Sequence, residues 1–329
     1  MLHSFFAPRS YRVVGLITIT AVYFLILVGG IVRASGAGMG CPDWPKCFGR
    51  WIPPTNESQL PANYQEIYRD RGYADTTFNP VKTWTEYINR LIGVTIGFLI
   101  FLTLVSSFGY ARTDPRITVL SAVCFLLVGF EGWLGSVVVS SNLVPVIITL
   151  HMAAALVLVS LLIFTVMRAQ RDRYRQNPIP TARIISVLFA VVLTLSIAQI
   201  VLGTRVREHT DQITAAFEGL DATRSAADFG IVFYVHRSLS ILVLAVNIAL
   251  AYELMKRAAP PAMRAAAAAL LGLLITEIAS GAALSYMGMP AVLQPVHLLL
   301  SNLIFGAQFY LWTAYRYARY GPESQVQPV

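Results

Sequence analysis

Long apolar runs separated by short polar segments recur along the chain near residues 13–33, 84–107, 117–140, 143–167, 184–204, 230–252, 265–287 and 291–315. A hydrocarbon core of about 30 Å needs roughly 20 such residues in a helix. The pattern therefore predicts an all-α polytopic membrane protein with eight spans. Met1–Arg12 is too short to hold the charged and apolar regions of a signal peptide plus a cleavage site, and the run behind it is long enough to span. Val13–Arg33 is expected to be a retained first helix.

Composition supports a bilayer setting. The 329 residues are 56% hydrophobic and 13% charged, with a mean hydropathy of +0.61, whereas a soluble domain carries about a quarter charged residues. The net charge of +8 could point to nucleic acid, but the basic residues fall in alternate short loops, which excludes that class. Arg9 and Arg12, Arg112 and Arg116, the series Arg168, Arg171, Arg173, Arg175 and Arg183, then Lys256, Arg257 and Arg264, and finally Arg316 and Arg319 share one side. That side, with both termini, is expected to be cytoplasmic.

The opposite side receives a long segment from about 34 to 83, a second loop from about 205 to 229, and tight connections near 141 and 289. The first segment holds Cys41 and Cys47, on the side where disulfides are permitted. A disulfide is expected there, the alternative being a thiol pair for metal or redox exchange. Cys124, inside the third span, fits a small buried hydrophobe.

The chain repeats itself. Gly29-Gly30-Ile31-Val32-Arg33 at the end of the first span matches Gly203-Thr204-Arg205-Val206-Arg207 at the end of the fifth, and Tyr87-Ile88-Asn89-Arg90 matches Tyr234-Val235-His236-Arg237. Glu131, Gly135 and His151 reappear as Glu277, Gly281 and His297 with the same spacing. Duplication of four spans restores orientation, so two pseudo-symmetric four-helix bundles in parallel are expected. Their ranges are 1–175 and 176–329, joined through the basic stretch Gln170–Thr181.

Asn89, His151, His236 and His297 then fall in the first turns of the even-numbered spans, at one depth near the outer surface. A lone histidine could merely bond a neighbouring helix. Three at repeated positions mark a site, because intramembrane ionisable groups are costly. His236 and His297 can ligate a haem iron from both faces, which favours electron transfer. The first half keeps His151 but has Asn89 in place of the second histidine. It also gains Glu86, one turn before Asn89, where the second half has Phe233; a carboxylate there is a candidate catalytic group, or else a partner for Arg90. Arg33, Arg90, Arg207 and Arg237 could pair with haem propionates or anchor at the interface. The duplicated Glu131 and Glu277 suggest structural hydrogen bonding.

These residues resemble the heme A synthases, the COX15/CtaA family, over nearly the whole chain. The likeness rests on Gly30-Ile31-Val32-Arg33-Ala34-Ser35-Gly36 with Cys41-Pro42-Asp43-Trp44-Pro45-Lys46-Cys47, on Glu86-Tyr87-Ile88-Asn89-Arg90-Leu91-Ile92-Gly93, and on the repeated histidines. The resemblance implies two bundles in the inner membrane, the carboxy-terminal one holding heme b through His236 and His297. It implies heme O as substrate in the amino-terminal one, a ring methyl being oxidised to the formyl group of heme A for cytochrome oxidase. Glu86 matches the family's glutamate, and would stabilise positive charge at the methyl carbon or manage protons. Asn89 departs from the histidine of better-known members and leaves His151 as the firm substrate-side ligand. Heme O synthase, cytochrome oxidase assembly proteins, an electron acceptor and membrane lipid are the implied partners, and a homo-oligomer is compatible. Two rival readings stay open: a b-type cytochrome relaying electrons from quinol, and a transporter built on parallel repeats.

Overall fold

A computed structural model describes residues 6–216 and 230–320, the side chains of 211–216 excepted. The long helices are α1 (Pro8–Ala34), α2 (Pro80–Ser107), α3 (Pro115–Ser140), α4 (Pro145–Arg168), α5 (Arg183–Ala216), α6 (Gly230–Lys256), α7 (Pro261–Tyr286) and α8 (Leu293–Ala318). No strand occurs among the described residues; a single bridge joins Cys47 and Arg50. Proline opens α1, α2, α3, α4 and α7, where its missing N–H costs nothing and its fixed φ suits a first turn. Ahead of Pro80, the Asn79 side chain accepts from Lys82 N at 3.1 Å and caps α2.

Seven of these helices, α1 to α7, are long and apolar enough to cross a membrane. The eighth, α8, is 26 residues long but falls outside that group. It places Asn302, Gln308 and Thr313 along its buried face, polarity that faces protein instead of lipid. The second outer segment also differs from expectation. Instead of a loop from about 205, helix α5 runs on to Ala216, and 217–229 lie outside the described residues.

The chain divides into two compact units, Met1–Leu162 and Ile163–Val329. In the first, α1 packs on α2 through a hydroxyl pair, Thr18 Oγ1 and Thr103 Oγ1 at 2.9 Å, and Tyr11 reaches Ser121 Oγ at 3.1 Å on α3. In the second, the Tyr315 hydroxyl accepts from Ala182 N at 3.0 Å and its ring lies 5.7 Å from Phe189. Gln308 Nε2 donates to Asn247 Oδ1 at 3.2 Å, tying α8 to α6. Each unit has a tight turn with two successive residues at positive φ, Asn142 and Leu143 between α3 and α4, Gly288 and Met289 between α7 and α8.

The segment between α1 and α2 is itself folded. Phe48 is ringed edge-on by Tyr64, Tyr68, Tyr73 and Phe78, with centroids 5.3 to 6.3 Å away. Together with Cys41, Cys47 and Leu60 they form a separate buried cluster, the geometry in which aromatic edges meet faces. Arg71 donates to the Ser140 carbonyl, and Asn142 Nδ2 donates to the Asp70 carbonyl at 3.1 Å, which moors this cap to the α3–α4 turn.

Candidate functional site

In the second unit, α6 and α8 bring His236 and His297 together, with ring centres 6.4 Å apart and planes at 72°. Each ring faces a glycine. A methyl at Gly203 would lie 3.3 Å from His236 Cε1, and one at Gly281 would lie 3.1 Å from His297 Cε1. An alanine at either position would require the ring to give by a few tenths of an ångström. The Nδ1 atom of His297 is 2.8 Å from Ser280 Oγ and 3.1 Å from Glu277 Oε2. Ser280 gives its own hydrogen to the Glu277 carbonyl at 2.8 Å, so its lone pairs face the ring. With the imidazole proton on Nδ1, both oxygens would accept from it and Nε2 would be the free lone pair. His236 Nδ1 is buried with no hydrogen-bond partner, and its backbone carbonyl accepts from Gln199 Nε2 at 2.9 Å.

These residues fit a metal shared by two imidazoles. Nitrogens about 2 Å from a common metal, with ring centres roughly 1 Å further back, set the centres about 6 Å apart. Planes that are steeply crossed are compatible with two ligands on one axis.

The first unit repeats the contacts with one exchange. Glu131 Oε2 lies 2.7 Å from His151 Nδ1, and a methyl at Gly135 would lie 3.8 Å from His151 Cε1. Although close, the carboxylate sits off the ring N–H direction, and His151 Nδ1 makes no aligned hydrogen bond. Gly29 faces Asn89 Oδ1 at 4.0 Å as Gly203 faces His236, and that amide oxygen is buried without a partner. Helix α2 begins four residues before the expected span, which places Asn89 in its third turn.

Glu86 is 3% exposed and fully engaged. One carboxylate oxygen accepts from Cys41 N at 2.8 Å, and the other pairs with Arg90 one turn on. The Arg90 guanidinium also donates to the carbonyls of Asp43 at 2.7 Å, Lys46 at 2.9 Å and Cys41 at 3.4 Å. Cys41 and Cys47 form a disulfide, Cα atoms 4.9 Å apart, and both are fully buried. The Glu86–Arg90 pair thus clamps the disulfide loop onto α2. Gly40 makes this possible, because a side chain there would fall on the Lys82 carbonyl. Thr83 Oγ1 donates to the Gly40 carbonyl at 2.9 Å.

The other arginines have varied surroundings. Arg207 donates to Gln294, Arg237 reaches the Tyr286 hydroxyl at 3.5 Å, and Arg33 lies half-buried in the last turn of α1. Sequence reasoning missed the aromatic cap, although Phe48, Tyr64, Tyr68, Tyr73 and Phe78 were visible in a segment otherwise polar. Its Asp43 carboxylate accepts from Phe48 N at 2.6 Å and Gly49 N at 2.8 Å. The Tyr73 hydroxyl donates to the Met39 carbonyl at 2.6 Å; burial first, then the charge of Glu86, pushes its pKa up. A cleft of about 640 Å³ opens beside the cap, lined by Asp43, Tyr68, Arg71, Ser140 and Asn142 among others.

Residues 12–309 match a family model, COX15-CtaA, described as cytochrome oxidase assembly protein. A heme A synthase of Shewanella oneidensis is 27% identical over 327 residues, covering 90% of this chain and 95% of that protein. The heme A synthase of Allorhizobium ampelinum is 30% identical over 203 residues, 58% of this chain and 54% of that one. That of Granulibacter bethesdensis is 26% identical over 196 residues, 55% and 51%.

Proposed function

The chain belongs to the COX15-CtaA family, and from that premise we propose that it is a heme A synthase, an oxidoreductase that converts a ring methyl of heme O to the formyl group of heme A. It sits in the cytoplasmic membrane with eight spans in two similar four-helix bundles, 1–175 and 176–329, both termini cytoplasmic and both sites toward the outer face. His236 and His297 would hold heme b, with Gly203 and Gly281 giving their rings room. Held by these two residues, that group would supply one-electron transfer. Arg207 and Arg237 are its candidate propionate partners. The electrons leave to an acceptor outside the chain.

Heme O would take the first bundle, with His151 as its ligand, Asn89 opposite and Arg33 at the rim. Glu86 is the proposed catalytic carboxylate. Its bonds to Cys41 N and Arg90 fix it in one orientation, so it stabilises developing positive charge without reorganising. Arg90 serves the substrate side through the disulfide loop that it holds. The partners are heme O synthase upstream and cytochrome oxidase assembly proteins downstream.

One observation carries the reading most strongly: a histidine pair at metal-sharing separation in one unit, and a single histidine with a buried asparagine in the matching contacts of the other. The test is haem extraction and chromatography from cells expressing the chain with and without a heme O supply. Heme A should form only with heme O present. Heme b alone under both conditions would identify an electron-relaying cytochrome instead, and no haem at all would favour the transporter.

A further inference from the structure

The two units differ at a residue that the repeat itself singles out. Three positions after each glutamate stand Ser280 in the second unit and Leu134 in the first. Both are buried, 9% and 5% exposed. Ser280 gives its hydrogen to the Glu277 carbonyl at 2.8 Å and presents oxygen to His297 Nδ1 at 2.8 Å, beside the Glu277 carboxylate at 3.1 Å. The Ser280 contact is thus the hydrogen bond at His297 Nδ1, with the Glu277 carboxylate beside it as Glu131 stands beside His151. His151 has only Glu131, close at 2.7 Å but out of line, and the leucine offers nothing more. His151 is also the more open of the two, its side chain 38% exposed against 25%.

We propose that Ser280, together with Glu277, is a positioning residue that locks His297 as a permanent haem ligand, while Leu134 leaves His151 loosely oriented so that the substrate haem can enter and leave. This rests on the reading above, in which the second unit keeps its haem and the first exchanges one. The physical basis is the outer partner of a metal-bound histidine. A hydrogen bond to Nδ1 fixes ring rotation and the tautomer and raises the basicity of the other nitrogen, so its removal lowers affinity and favours the reduced metal. A ring with one misaligned partner can turn without breaking a bond. A serine that merely satisfies its own helix carbonyl, a common habit, would influence none of this.

The experiment uses the full chain, purified with its haems. Ser280→Ala should change the anisotropy of the low-spin electron paramagnetic signal of the second-unit haem. It should also shift the ferric to ferrous equilibrium about tenfold toward ferrous, 59 mV for a one-electron couple. In the other unit, Leu134→Ser should slow transfer of heme O to apomyoglobin about tenfold or more, the usual effect of an outer-shell partner. An unchanged potential and signal in Ser280→Ala overturns the lock, and an unchanged transfer rate in Leu134→Ser overturns the explanation of exchange. Should Ser280→Ala shed its haem, Ser280→Thr, which keeps the hydroxyl, must retain it at the original potential; loss from both overturns the proposal. Absence of any low-spin haem from the unaltered protein would instead refute the functional reading beneath it.

Discussion

Replacing Glu86 by alanine removes two contacts at once. The Cys41 N–H, 2.8 Å from the carboxylate, is left buried without an acceptor, which costs about 1–3 kcal/mol. Breaking a buried ion pair costs about 3–5 kcal/mol because one charge is left uncompensated. Here the second figure shrinks, since Arg90 keeps the Asp43 and Lys46 carbonyls. A net loosening of the disulfide loop by about 3 kcal/mol follows, and at 1.4 kcal/mol per decade this raises its open population about a hundredfold. Cys41 and Cys47 are 0% exposed, so a thiol reductant reaches them only when the loop opens. Where closing is faster than cleavage, the rate tracks that population. The assay is reduction of the disulfide in detergent, quenched by alkylation and read by mass. Arg90→Met removes the other half of the clamp and should accelerate reduction comparably. If Glu86→Ala reduces at the unaltered rate, the clamp is not what holds the loop. Heme A formation separates anchoring from chemistry: Glu86→Ala should abolish it while leaving the His236/His297 haem spectrum intact, and Arg90→Met should retain part of it. Equal loss in both variants would assign Glu86 to the loop alone.

Three further outcomes are expected. Gly281→Ala should cost the second-unit haem, because the methyl would sit 3.1 Å from His297 Cε1, whereas Gly135→Ala, at 3.8 Å from His151 Cε1, should be tolerated; haem content of the two purified variants decides this. Asn89→His should convert the first-unit haem to a second low-spin species with slower exchange, and an unchanged high-spin to low-spin ratio by electron paramagnetic resonance would place Asn89 away from the iron. Tyr73 has a raised pKa in the folded cap, so its contribution is complete below about pH 10, the unperturbed tyrosine value, and is lost as pH rises through the raised value. The cap should therefore open in alkali, read by disulfide reduction rate, with a shallower pH dependence in Tyr73→Phe; an identical profile would show that Tyr73 is not the titrating group.

Much of the helix pattern was legible because a bilayer imposes a simple code of apolar spans of similar length. Even so, α8 satisfies the length and not the apolarity, since Asn302 and Gln308 face inward and partners cannot be read from hydropathy. The extension of α5 to Ala216 was hidden for a related reason. Residues beyond Leu202 are polar, and polarity ends a membrane run without ending a helix. The cap over α2 was missed because its cohesion comes from Phe48 meeting rings contributed by residues up to 30 positions away, an arrangement with no period to detect.

The site was legible as residue types and spacing, and the geometry adds what each polar group has as its partner. Spacing alone made Glu131 and Glu277 equivalent, and both do lie beside the histidine of the next helix. What separates the two sites is the residue three positions on: Ser280 adds a hydrogen bond at His297 Nδ1 that Leu134 has no group to make. Glu86 shows the same limit from the other direction. An acidic side chain near a cofactor pocket suggests a free catalytic group, but its two oxygens are already committed to Cys41 and Arg90. The catalytic role proposed for it would be that of a fixed charge, in which case the disulfide loop and the reaction would share one anchor. Loosening the loop should consequently reduce heme A yield even in variants where Glu86 itself is untouched.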